Sequence, residues 1–336
     1  MTESSKHNDA TVAAAPRRLA AVLVEPPAGA DLPGRLDRPA MIRTVVLGTL
    51  FILAHIEVAR WLLLSWHDRL DWSHGWLIPL FSLYLLYTRR HDIQRVGRRA
   101  DLYGLILMLE AIAIEAVFLI VPSLRNYFAA GIAAVIALFG LVQYLNGWRP
   151  MKYLWLPVLY IALAVPLTGS LYSAIAYPLQ ELAAAGSTGM MRLGGVDIVR
   201  QASSMELVSR SGVSRDLTVA EACSGMNLLM AFFALGVAAA YLQERPLWHR
   251  VVLVLAGIPI AVFCNVLRVF ITSMAYYVDQ EEWGRGVLHS FTGMVMLIPA
   301  FAMLWGLGWL LNRLVVEVDD EEGDVREQPE AKEVAG

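Results

Sequence analysis

Three residues far apart in the chain carry side chains that could perform one reaction together: Cys223, Arg268 and His289. Cys223 stands in Glu221-Ala-Cys-Ser-Gly-Met-Asn227, at the start of an apolar run. It reads either as a small buried hydrophobe or as a nucleophile. Backbone N–H groups and the dipole at a helix N-terminus favour a thiolate and can hold an oxyanion. Arg268 stands in Cys264-Asn-Val-Leu-Arg-Val-Phe270, ten residues before the outer end of a second run. At 1.5 Å per residue that is about 15 Å from the end. An arginine near a helix end can snorkel to water, whereas one at this depth is expected to face the bundle interior and meet a partner. Asn265, three residues earlier, shares its helix face and could hold the guanidinium. His289, in Val287-Leu-His-Ser-Phe-Thr-Gly293, opens a third run and reads as an interfacial histidine or a base. Together the three supply a thiolate, a proton carrier and a permanent cation for an oxyanion or carboxylate.

Ser224 beside the cysteine is a supporting candidate, as is His74 in Trp72-Ser-His-Gly-Trp-Leu-Ile-Pro79, which could line the same cleft. His55, Glu57, Arg60, Glu110 and Glu115 read as interhelical pairs rather than chemistry. Cys264, one turn deeper than Arg268, reads as packing. Histidines and cysteines are too dispersed for a metal-ligand pattern and no glycine-rich phosphate loop occurs, so neither metal nor cofactor is expected.

What must position these residues is a membrane bundle. Of the 336 residues, 57% are apolar and 17% charged, against about 45–50% and about 25% in a soluble domain, which excludes a single core in water. A spanning helix needs about 20 apolar residues. Eight segments approach or exceed that: 44–66, 72–88, 102–121, 127–145, 153–167, 224–242, 251–278 and 286–315. The last two are long enough to tilt or project beyond the hydrocarbon. Arginines crowd every second loop: Arg89 to Arg99, then Arg149 with Lys152, then Arg245 with Arg250. By the positive-inside rule both termini are cytoplasmic. Cys223, Arg268 and His289 then all fall toward the outer face, by an argument that used none of them.

The expected fold is thus an all-α integral membrane protein of about eight transmembrane helices, with a small extracytoplasmic α/β insertion before the sixth. In that insertion, residues 169–222, the stretch 172–193 is amphipathic and suits the membrane surface. Alternation in 205–209 and 217–219 around Ser211-Gly212 predicts a hairpin. The expected organisation is a flexible cytoplasmic arm, 1–43, without a cleaved signal peptide, then the transmembrane domain, 44–315, and an acidic disordered tail, 316–336. From Glu317 onward nine acids face two basic residues, and no basic block suits nucleic acid.

The chain resembles the exosortase/archaeosortase family of multi-pass membrane cysteine proteases and transpeptidases. The likeness rests on Ala222-Cys-Ser-Gly225, Asn265-Val-Leu-Arg268 and His289 in that order. Ser73-His-Gly75 with Pro79, the Pro157 to Pro166 run, and Tyr177-Pro-Leu-Gln180 add to it, and it covers roughly residues 45–312. The resemblance implies that Cys223 is the nucleophile and that Arg268 and His289 are the other essential residues. It also implies exported substrates with a C-terminal sorting signal: a short motif, PEP-CTERM in many bacteria, a hydrophobic span and a basic cluster. Cleavage would occur on the outer face of the cytoplasmic membrane through a thioester, with transfer to an envelope acceptor suspected; many relatives accompany exopolysaccharide genes. Two other classes stay open from the residues alone. A transporter or channel would use Arg268 to bind an anion but gives Cys223 no role. A scaffold of an envelope-assembly complex would need none of the three.

Overall fold

The computed structural model describes residues 38–219, 226–243, 245–280 and 295–314. Its helices are α1 (Arg38–Ala54), α2 (Ile56–Asp68), α3 (Leu77–Thr88), α4 (Arg90–Arg95), α5 (Leu102–Ile120), α6 (Tyr127–Asn146), α7 (Trp148–Tyr160), α8 (Gly169–Leu193), α9 (Met226–Leu242), α10 (Leu247–Tyr277) and α11 (Leu297–Leu314). Between α8 and α9 lie β1 (Ile198–Gln201), β2 (Ser204–Val208) and β3 (Ser214–Thr218).

Among the described residues, α5, α6 and α10 are each long and apolar enough to cross a membrane alone. Two bent pairs, α1 with α2 and α7 with α8, have the composition of broken spans, and α9 and α11 contain shorter apolar stretches. The mainly helical, membrane-type architecture is as expected, and three to five spans are met by length and composition. Helix α1 already begins at Arg38, inside the expected arm.

Local chemistry explains the clean elements. Asp101 caps α5 by accepting from Tyr103 N–H at 3.1 Å, and Asn126 caps α6 by accepting from Ala129 N–H at 3.1 Å. The pair packs closely because Gly104 and Gly140 face each other; a Cβ on either would enter the other's backbone. The α1–α2 break falls at His55, where the axis turns by 67°. His55 Nδ1 meets Phe51 O at 2.8 Å and Nε2 faces Glu115 Oε2 of α5 at 3.0 Å, so one expected interhelical pair forms. The second expected span opens as a 3-10 helix, Leu70–Trp76, before α3. There Trp66 Nε1 donates to Ala164 O at 2.8 Å and its ring fills the space that glycine leaves at position 75.

The insertion forms one layer with two helices. β1, β2 and β3 make an antiparallel sheet in that order, with Ile198 opposite Leu207 and Met205 opposite Leu217. Its inner face, Ile198, Met205 and Leu207, shares a core with Ala183, Ala184 and Met191 of α8 and Val269 and Tyr276 of α10. The amphipathic stretch 172–193 is therefore a 25-residue helix whose apolar face is buried against protein. The β2–β3 turn is clamped to the end of α10: Arg210 N–H donates to Tyr277 O at 2.8 Å. Ser211 donates its hydroxyl and amide to the two Asp279 carboxylate oxygens, at 2.9 and 3.2 Å.

Candidate active site

Arg268 and Asn265 lie on the inward face of α10, with relative exposures of 8% and 2%. On the helical wheel Arg268 falls between Cys264 and Val269. Cys264 clusters with Leu228 and Phe232 of α9, and Val269 with Ala183 and Ala184 of α8. Arg268 therefore projects at the seam where α8 and α9 meet α10. Asn265 lies on the α8 side of that seam, and neither its Oδ1 nor its Nδ2 has a hydrogen-bond partner among the described residues. Such a group calls for a partner, since leaving a buried amide unsatisfied costs about 1–3 kcal/mol.

Arg268 lies toward the C-terminal end of α10. It is nine residues before the last residue of α10, but the whole helix has 31 residues, about 46 Å at 1.5 Å per residue. Counted from Leu247, Arg268 is about 32 Å along the axis, close to the ~30 Å thickness of the hydrocarbon. The turns beyond it pack on the sheet and α8. Arg268 is thus buried by protein, on a helix whose following turns are covered by the sheet and α8.

His74 is buried in the 3-10 helix before α3. With Ala231, Ala234 and Leu235 of α9 and Phe81 and Tyr160 it lines an apolar cleft of about 350 Å³. That places His74 and Arg268 against different faces of α9, whose first residue, Met226, packs on Tyr172 and Ala176 of α8. Cys264 is wholly buried among Ile260, Ala261 and Ala300, which agrees with a packing role. Cys223, Ser224 and His289 lie outside the described residues.

Two polar residues on the same face of α8 were not assigned roles from sequence. Gln180, buried, falls between Ala176, which packs toward Met226, and Ala184, which packs toward Val269. Thr188 is buried two turns further on, with its hydroxyl unpartnered among the described residues. Their signal was present: polar positions at i and i+8 on the stripe Ala176, Ala183, Ala184 and Met191. Outside the membrane, the Asp279 carboxyl is held below its ordinary value, chiefly by the Ser211 hydroxyl, then by Ser209, the Ser211 amide and Arg215, whose Nη2 stands 3.8 Å away.

Chemically, the seam offers a buried guanidinium and an amide with spare donors and an acceptor where α8 and α9 meet α10. No curated protein and no solved structure matches the chain. The family model of the transmembrane exosortases (Exosortase_EpsH) matches residues 66–306, a range that contains the seam, the sheet and every candidate residue named above. By that match the chain belongs to the transmembrane exosortase family.

Proposed function

We propose that this protein is a membrane-embedded cysteine protease or transpeptidase that removes the C-terminal sorting signal of exported proteins at the outer face of the cytoplasmic membrane. Its reading includes eight spans with both termini in the cytoplasm. The carrying observation is the antiparallel register of α9 on α10. Gly257 abuts Phe232 and Gly236 abuts Val254, so each step back along α9 is a step forward along α10. The same register sets Met226, the first residue of α9, opposite positions 263–264, one turn from Arg268, and Cys223 precedes Met226 by three residues in the sequence. This supports a thiolate at Cys223 next to the buried guanidinium.

In the reaction, Cys223 Sγ adds to a peptide carbonyl just outside the substrate's hydrophobic span, and the carbonyl electron pair moves onto oxygen. Arg268 stabilises that oxyanion with directed N–H groups, and Asn265 holds the fork. Collapse expels the amine, which takes a proton from His289, and leaves a thioester on Cys223. Water, or an amine acceptor of the envelope, then adds to the thioester and returns the thiolate.

The test compares sizes of exported proteins in cells carrying wild type, Cys223→Ala or Cys264→Ala at matched protein levels. Cys223→Ala is expected to abolish processing and Cys264→Ala to leave it largely intact. Processing retained in Cys223→Ala refutes the reading and favours a transporter or scaffold.

A further inference from the structure

A second site lies at the membrane face opposite the sheet. Tyr241, at the far end of α9, donates to Tyr153 O at 3.0 Å, so α7 starts on the same side as α10 starts. There the N-terminal ends of α5 and α7 and the C-terminal end of α6 converge around a cleft of about 730 Å³. Its lining includes Arg99, Tyr103, Gln143, Asn146, Trp148 and Arg149. Arg149 and Trp148 continue into an adjoining cleft of about 300 Å³ that adds Lys152.

The walls are held by backbone. Arg99 N–H donates to Asn146 O at 3.3 Å and Asp101 N–H to Tyr144 O at 3.2 Å. Gly147, at φ +81°, brings its α-carbon against the Arg99 carbonyl, where a side chain would collide. Arg99 and Arg149 therefore belong to one rigid rim although 50 residues separate them.

Positive charge predominates at the rim. Among the described residues, none of Arg95, Arg98, Arg99 and Arg149 makes an ion pair. The one acid in the lining, Asp101, is committed to other donors: Oδ1 accepts from Tyr103 N–H and Oδ2 from Gln143 Nε2, at 2.8 Å. The positive ends of the α5 and α7 dipoles face the same cleft and outweigh the single negative end of α6. Trp148 and Tyr103 stand 70% and 78% exposed at the ends of spanning helices, where amphipathic rings sit among lipid headgroups.

We propose that this cleft binds an anionic phosphate group, with Arg99 and Arg149 as its main contacts. The carrier is either an anionic phospholipid headgroup or free phosphate. Planar guanidinium forks on a fixed rim suit phosphate oxygens better than diffuse surface charge does.

The test uses the full chain in phosphatidylcholine nanodiscs and reads tryptophan fluorescence, to which Trp148 contributes. One arm titrates phosphatidylglycerol with brominated acyl chains, with brominated phosphatidylcholine as comparator. The other titrates inorganic phosphate at constant ionic strength. Each basic contact near a membrane surface changes affinity about fivefold, so Arg99→Gln/Arg149→Gln is expected to weaken half-saturation about 25-fold. Arg90→Gln/Arg313→Gln, which removes equal charge from residues resting on Tyr87 and Trp309, is expected to change nothing. A saturable response to either carrier that only the first variant loses supports the site, and the tighter carrier is its source. Equal quenching by both brominated lipids without a phosphate response, or equal weakening in both double variants, overturns it.

Discussion

Removing Glu115 should destabilise the protein far more than a membrane-facing substitution would. The His55 and Glu115 side chains are 6% and 5% exposed, so solvent does little to screen their 3.0 Å contact. With Nδ1 turned to the Phe51 carbonyl, that nitrogen carries a hydrogen, and Nε2 faces the carboxyl at 3.0 Å. Glu115→Ala takes away that partner and leaves a buried ring nitrogen facing apolar side chains. Breaking a buried pair from one side costs about 3–5 kcal/mol. At roughly 2–4 °C per kcal/mol for a chain of this order, the apparent Tm should fall by on the order of 10 °C. Glu115→Gln keeps a hydrogen-bond donor toward Nε2 and should cost only about 1–2 kcal/mol. His55→Phe/Glu115→Leu removes both polar groups and keeps the stack on Phe51, whose ring centroid is 3.9 Å from that of His55; it should melt within a few degrees of wild type. The assay is thermal unfolding of purified protein in one detergent, scanned at one rate. A Glu115→Ala protein melting within about 2 °C of wild type, or a double variant worse than both singles, would refute the reasoning.

Arg268→Lys should lose about 10²–10³ in single-turnover cleavage of a signal-bearing substrate, since a buried ammonium cannot reproduce the guanidinium fork; activity within a few-fold of wild type would leave only charge balance for this residue. For topology, Val213→Cys in the β2–β3 turn should react with an impermeant maleimide in intact cells and Gln94→Cys in α4 should not; the reverse pattern inverts the bundle and its site. The clamp should be pH-dependent. Because folding lowers the Asp279 pKa, its contribution is present above the ordinary aspartate value and disappears as pH falls through the depressed one. The Tm difference between wild type and Asp279→Asn should be constant near neutrality and shrink only in the acid range; a difference that grows on acidification contradicts this.

Spans with plain apolar runs and capping residues were legible in the sequence: the ends of α5 and α6 agree with the expectation to within a residue or two. The bend at His55 was not, because its cause is a side chain on α5 sixty residues away. The hairpin was legible from alternation around Ser211-Gly212, but β1 was missed, since only Ile198 of its four residues is buried and pairing with β2 makes it a strand. At the site, motif order pointed to Arg268 and Asn265, and their burial bears out an inward face. Gln180 was noted only as part of Tyr177-Pro-Leu-Gln180 and Thr188 not at all, because only packing shows which stripe of α8 is covered.

The clamp between the β2–β3 turn and the end of α10 also sets an order of assembly. Ser211 and Asp279 are 68 residues apart, with α9 and α10 between them. At about 5–20 residues per second of synthesis, the hairpin emerges roughly 3–14 s before its anchor exists. During that interval the inner face of the sheet has α8 to rest on but not Val269 or Tyr276. Insertion of α10 therefore locks the sheet layer before α11 is added, so a delay in membrane insertion at α10 would expose a half-covered sheet to proteases.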